Sequence, residues 1–201
     1  MTKKSILTLF VVLSFAITAS SQFSHSVGAG LVYGRGKAPK GSESVSGEKP
    51  TIMGYGIFYY PRFNVIENES GAISIGIPLT AGLSGSYNSR EGGAMSVILD
   101  LPVTADYNFG GGSTKDNESG FGGFVGAGFG YTYSNYTEEF YIPGVIDSYE
   151  QVKGTSYGPV AHGGIKLSVG QNLTFFARAF YKVGLESAKF KTFGIAGGLC
   201  F

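Results

Sequence analysis

From Ser24 to Phe201 the chain alternates, with apolar side chains on odd numbers and small or polar ones on even numbers. A period of two marks β-strands with unlike faces, and it excludes helices, whose period is near 3.6. Eight runs carry it, at 24–35, 51–63, 71–84, 95–109, 120–134, 156–169, 172–184 and 191–201. In the third run Ile73, Ile75, Ile77, Leu79, Ala81 and Leu83 oppose Ala72, Ser74, Gly76, Pro78, Thr80 and Gly82. The parity never changes between runs. Six charges fall inside the run centres, Arg62, Asp100, Asp106, Lys166, Arg178 and Lys182, and all six are even.

Even strand number and alternating connections describe an all-β, eight-stranded antiparallel up-and-down barrel. Long polar segments follow the first, third, fifth and seventh runs, among them residues 36–50 and 135–155. Residues 64–70 and 170–172 read as tight turns, and the glycine-rich 110–119 as an intermediate one. Pro61, Pro78, Pro102 and Pro159 interrupt runs, and a closed barrel has no edge strand to accommodate a missing N–H. Bulges or a broken ladder are expected at Pro78 and Pro102.

The N-terminus has a different pattern. Lys3 and Lys4 precede the uncharged run Ile6 to Ile17 and the small residues Ala19, Ser20 and Ser21. This is the layout of a cleaved secretory signal peptide, residues 1–21, too short in its apolar part to span a bilayer. The mature domain is then 22–201. Its formal charge is −1, against +1 for all 201 residues, once Lys3 and Lys4 are removed. A near-neutral chain has no electrostatic footprint for nucleic acid. The single cysteine, Cys200, allows no internal disulfide.

A soluble barrel would turn the odd face inward, and a membrane barrel would turn it to lipid. The even face is too small and aromatic for a water surface. It holds Gly28, Gly30, Gly126, Gly128, Gly164 and Gly198 beside Phe58, Tyr60, Phe124, Phe176 and Phe180. A narrow barrel filled by its own side chains suits that mixture. Odd-numbered aromatics gather at the run ends. Tyr59, Phe63, Tyr107, Phe109, Phe121, Phe175 and Phe201 are set at one rim; Tyr33, Tyr131, Tyr133, Tyr157, Tyr181 and Phe193 at the other. Two aromatic belts around an aliphatic band match the headgroup regions of a bilayer. Six charges on the lipid face would cost on the order of 10–20 kcal/mol, comparable to the roughly 5–15 kcal/mol that holds a domain folded. The even face is therefore the expected lumen, and outer-membrane lipids the expected partner of the odd face.

The last run, KTFGIAGGLCF, places Phe193, Ile195, Leu199 and the terminal Phe201 at two-residue steps, with Gly197 interrupting the series. It resembles the C-terminal signal of bacterial outer-membrane barrels. The segment 121–133, FGGFVGAGFGYTY, is similar to the strands of small OmpA/OmpX-like outer-membrane proteins. The resemblance implies a porin-like fold in a Gram-negative outer membrane, with Phe193, Ile195, Leu199 and Phe201 read by the barrel-assembly machinery. It implies no defined activity.

Chemistry is sparse. His162, on the even face, could form a hydrolase triad with Asp100 or Asp106 and a serine. Some small outer-membrane barrels are lipid-modifying enzymes, but they work at the rim, and no rim-level histidine accompanies His162. Two histidines and one cysteine make no metal set, and no cofactor is expected. The lumen charges read instead as a paired network. Arg62, Lys166 and Asp106 belong near the end with the chain termini, Asp100 and Arg178 nearer mid-height, because buried charges persist only when partnered. Eight strands leave no aqueous channel. The expected function is that of a non-enzymatic outer-membrane barrel, structural or acting on a surface ligand through 36–50 and 135–155. A lipid-modifying enzyme using His162 and a soluble secreted ligand-binding barrel are the alternatives.

Overall fold

The computed structural model describes residues 23–35, 51–88, 92–114, 117–140, 148–169, 173–185 and 190–201. The expected signal peptide and the segment 36–50 lie outside them. The strands are β1 (Phe23–Arg35), β2 (Thr51–Asn68), β3 (Gly71–Gly76), β4 (Leu79–Asn88), β5 (Gly92–Gly110), β6 (Phe121–Phe140), β7 (Ser148–Val169), β8 (Leu173–Val183) and β9 (Lys191–Cys200). All pairings are antiparallel. β1 pairs with both β2 and β9, so the sheet closes into a ring.

β3 and β4 are one strand of that ring, interrupted at Ile77 and Pro78, which makes eight staves. The break costs no register. Gly76 pairs with Thr104 and Thr80 with Asp100, which sets Pro78 opposite Pro102. Ile77 donates to the Pro61 carbonyl on the β2 side, so by alternation Pro78 turns its nitrogen toward β5. Two missing donors thus fall at a single site of the ladder. The broken ladder expected at Pro78 and Pro102 is therefore present on this side of β5, whereas on its other side β5 runs through Pro102 in step with Gly130 of β6. The register shift is at Val65, between Asn64 and Ile66, where nothing in the alternation marks it.

Closure fixes the barrel's shape. Paired residues lead from Val32 through Gly194, Phe180, His162, Gly126, Asp106 and Ser74 to Asn64. Val32 itself pairs with Gly54, ten residues back along β2. A stagger of ten over eight strands gives a tilt of about 40° and a backbone radius of about 8 Å. That bore is filled by side chains.

Orientation follows the parity. Tyr55 and Ile57 are 77% and 71% exposed, whereas Phe58 and Tyr60, just beyond them on β2, are 2% exposed. Ile75, Leu99 and Ile195 face outward, while Asp100 and Arg178 are buried inside. The interior packs Phe58, Tyr60, Phe176 and Cys200 together, and Val32, Ile98 and Phe180 form a second cluster under Phe190. We call the end bearing Phe23 and Phe201 the lower end.

Two connections differ from the sequence expectation. The segment 64–70 is no loop: β2 continues to Asn68, and Asn68 Oδ1 accepts from the Ser70 and Gly71 amides in an Asx turn. The segment 135–155 is mostly strand, with β6 and β7 pairing from Asn135–Lys153 out to Phe140–Ser148. Only 141–147 lies outside the described residues. Backbone pairing in this hairpin continues past the last alternating residues of the two runs.

Candidate functional site

Among the described residues, polar chemistry converges in the lumen, where it is organised in three tiers. In the lower tier the hub is Asn108 of β5. Its Oδ1 accepts from Arg62 Nη1 at 2.7 Å and from Lys166 Nζ at 2.9 Å, while its Nδ2 donates to Ser74 Oγ at 2.7 Å. Lys166 also donates to the Gly112 carbonyl at 2.9 Å. That carbonyl comes from the segment after β5, which bends back beneath the barrel with Gly110 and Gly112 at φ +66°. L-residues other than glycine rarely adopt such angles. Asn64 donates to the Ser113 carbonyl at 3.2 Å, tying β2 to the same segment. Ser26 Oγ lies 3.0 Å from Cys200 Sγ.

The middle tier is Asp106, His162 and Arg178. His162 Nε2 is 2.7 Å from Asp106 Oδ1, and Arg178 Nε donates to His162 Nδ1 at 3.0 Å. A guanidinium can only donate. Nδ1 is therefore an acceptor, and the ring proton sits on Nε2, directed at Asp106. The imidazole is flanked by Tyr60 and Phe124, while the Arg178 guanidinium covers Phe58 at 4.8 Å and Phe180 at 4.9 Å. These cation–π contacts give a buried cation partners that no carboxylate supplies directly.

In the upper tier Lys182 Nζ donates to Asp100 Oδ1 at 3.0 Å, and Thr132 Oγ1 donates to the same oxygen. Val32, Ile98 and Phe180 pack together beside this tier, with Phe190 against them.

The six charges singled out from the sequence thus sit inside one bore but do not pair as cation with carboxylate throughout. Asp100 takes Lys182. Asp106 takes His162 rather than Arg62 or Lys166. Arg62 and Lys166 share a neutral amide oxygen instead, which puts them within about 6 Å of each other and costs about 3 kcal/mol of mutual repulsion at an effective dielectric near 20. Asp106 Oδ2 and Arg62 Nε, both buried, have no hydrogen-bond partner among the described residues. Sequence reasoning passed over Asn108, Thr132 and Gly112. The first two were legible as even-numbered polar residues in run centres, but Gly112 enters only through the fold of its segment.

Among the described residues no serine or threonine hydroxyl bonds to His162. Both of its ring nitrogens are engaged, one by a carboxylate and the other by an arginine, so the arrangement has no base free for a serine. Among the described residues no three of His, Cys, Asp and Glu come together as a metal set. At the lower rim Phe201 and His25 exchange backbone hydrogen bonds at 2.9 and 2.7 Å, and their rings stack at 5.8 Å. Phe193, Ile195 and Leu199 lie on β9 below the upper rim, with Phe193 and Ile195 facing outward.

No protein-family model matches the chain, and no curated protein sequence does. Solved structures do. Neisserial surface protein A (NspA) is similar with a TM-score of 0.55 at 16% identity, over 90% of this chain and 96% of that one. The fold is that of the small outer-membrane β-barrels. Other barrels of this kind are similar at lower scores. The outer membrane protein OprG from Pseudomonas aeruginosa gives 0.49 at 13% identity, over 89% and 94% of the two chains. The attachment invasion locus protein Ail of Yersinia pestis gives 0.48 at 15% identity, over 90% and 99%.

Proposed function

We propose that the mature chain, residues 22–201, is a non-enzymatic integral protein of the bacterial outer membrane with a structural, envelope-integrity or surface-interaction role. The observation that carries this reading is the contrast between the two faces. A continuous apolar exterior encloses a bore that is occupied from Asn108 to Phe190 by its own side chains. Such a barrel is a poor pore. The engagement of both His162 nitrogens speaks against lipid-modifying catalysis there, and the outward aliphatic face speaks against a soluble barrel. Contact with other molecules would fall to the upper end. There β6 and β7 pair with each other beyond the last β5–β6 pair, Val97–Asn135, and form a hairpin that outreaches the ring. Residues 36–50 and 135–155 are the proposed surface-ligand segments, and Phe193, Ile195, Leu199 and Phe201 the signal for the barrel-assembly machinery.

Cell fractionation with gel mobility of unheated and boiled samples tests the reading. The protein should partition with outer membranes and migrate faster unheated, as closed barrels do. Recovery in a soluble periplasmic or secreted fraction would overturn it. Conductance of porin size in planar bilayers would overturn the closed bore.

A further inference from the structure

On the outer wall, β7, β8, β9 and β1 together carry an open groove of about 550 Å³. Ala29, Gly197, Ala177, Ala179 and Gly163 form its floor, and Leu31, Ile165 and Ile195 stand at its sides. The registers align it: Ala29 pairs with Gly197, Gly197 with Ala177, and Ala179 with Gly163. Facing hydrocarbon, a hollow left empty forfeits dispersion contacts with whatever chain passes over it.

A separate observation identifies the occupant. Among strand residues whose side chains are described, Arg35 and Lys191 are the charged groups on the outward face, and they are direct cross-strand partners. Two like charges set opposite one another in a sheet repel, so the position favours an anion from outside the protein. The pair lies four residues up β1 and β9 from Leu31 and Ile195, about 13 Å along the strands and, at a tilt of about 40°, about 10 Å along the barrel axis. Between pair and groove run the outward aromatics Tyr33, Phe193 and Tyr181, which share one register row. One bilayer leaflet is about 15 Å of hydrocarbon, so a headgroup at the cations sets its chain end at the groove.

We propose that this face binds one phosphate-bearing lipid of the upper leaflet, with the phosphate on Arg35 and Lys191 and an acyl chain laid past Tyr33, Phe193 and Tyr181 into the groove. The inference rests on the outer-membrane reading above. To test it, the full mature protein is refolded into mixed micelles with dimyristoylphosphatidylglycerol or dimyristoylphosphatidylcholine, and retained lipid is counted by native mass spectrometry. Fast unheated gel mobility of the same sample certifies that the barrel has formed. Phosphatidylglycerol should be retained and phosphatidylcholine with the same chains should not.

Replacing both cations, R35Q with K191Q, should weaken retention about thirty-fold, from about five-fold per basic group. Filling the groove with A177F, on the exposed face, should weaken it by at least about five-fold while leaving the headgroup site intact. Equal retention of the two lipids, or wild-type retention by either variant, would overturn the proposal even though the barrel had formed. Failure to form a heat-modifiable barrel would instead strike the outer-membrane reading itself.

Discussion

The upper-tier pair tests how this barrel holds charge in its bore. Lys182 and the Asp100 carboxylate are 3.0 Å apart, and the side chain of Lys182 has no exposure to solvent. Neutralising Asp100 with D100N keeps the shape and leaves an ammonium buried without its counter-charge. Removing one member of such a pair costs about 3–5 kcal/mol, in line with a direct attraction of about 5 kcal/mol at an effective dielectric near 20. K182M should cost a similar amount less whatever the Thr132 hydroxyl returns to the stranded carboxylate, because Thr132 already donates to Asp100. The double variant, D100N with K182M, strands no charge and should lie within about 2 kcal/mol of wild type. Urea unfolding in phospholipid vesicles, followed by loss of the fast unheated gel band, measures all four proteins. If D100N costs under about 1 kcal/mol, or if the double variant costs the sum of the singles, the bore is not a sealed low-dielectric interior and the reasoning fails.

Three further outcomes follow from the lower and middle tiers. Nitrogen NMR of His162 should show the neutral ring protonated at Nε2; protonation at Nδ1 would refute donation from Arg178. A Cβ on Gly126 would collide with Asp106 Oδ1 and lie 2.6 Å from His162 Nε2, so G126A should destabilise the barrel by about 1–3 kcal/mol. G163A faces outward with its nearest contact at 3.2 Å, and should change stability by no more than about 0.5 kcal/mol; equal effects in the same urea titration would show that the Asp106–His162 contact is not tight. F201A should lower the yield of assembled barrel in cells while costing only about 0.5–1.5 kcal/mol of stability through the lost stack on His25. F201Y should assemble normally, and wild-type assembly of F201A would remove the terminal aromatic from the assembly signal.

Much of the fold was legible because the wall of this barrel separates an apolar exterior from a polar, charge-bearing bore. Ile75, Leu99 and Ile195 had to face one way and Asp100 and Arg178 the other, and a period of two records that choice residue by residue. The bulge at Val65 was not legible, since Val65 and Ile66 are both apolar and either could face outward. The broken ladder at Pro78 and Pro102 was legible, but that the two prolines lie directly opposite one another was not, because it depends on pairing between residues 24 positions apart. The β6–β7 extension escaped because the alternating runs stop at residues 134 and 156, whereas backbone pairing continues out to Phe140–Ser148.

The linear chain alone determined the class of fold, the number of staves, the sidedness of every stave and the six charges enclosed by the barrel. Local chemistry suffices for that, because transferring a charged or apolar group to the wrong side costs several kcal/mol wherever it occurs. Tertiary structure decided which groups meet. A stagger of ten residues brings Asp106 to His162 rather than to Arg62, places Arg62 and Lys166 on one amide oxygen, and sets Arg35 beside Lys191 above a hollow in the wall. Partners across a closed ring depend on that stagger, a property of all eight strands together, which no single stretch of residues encodes.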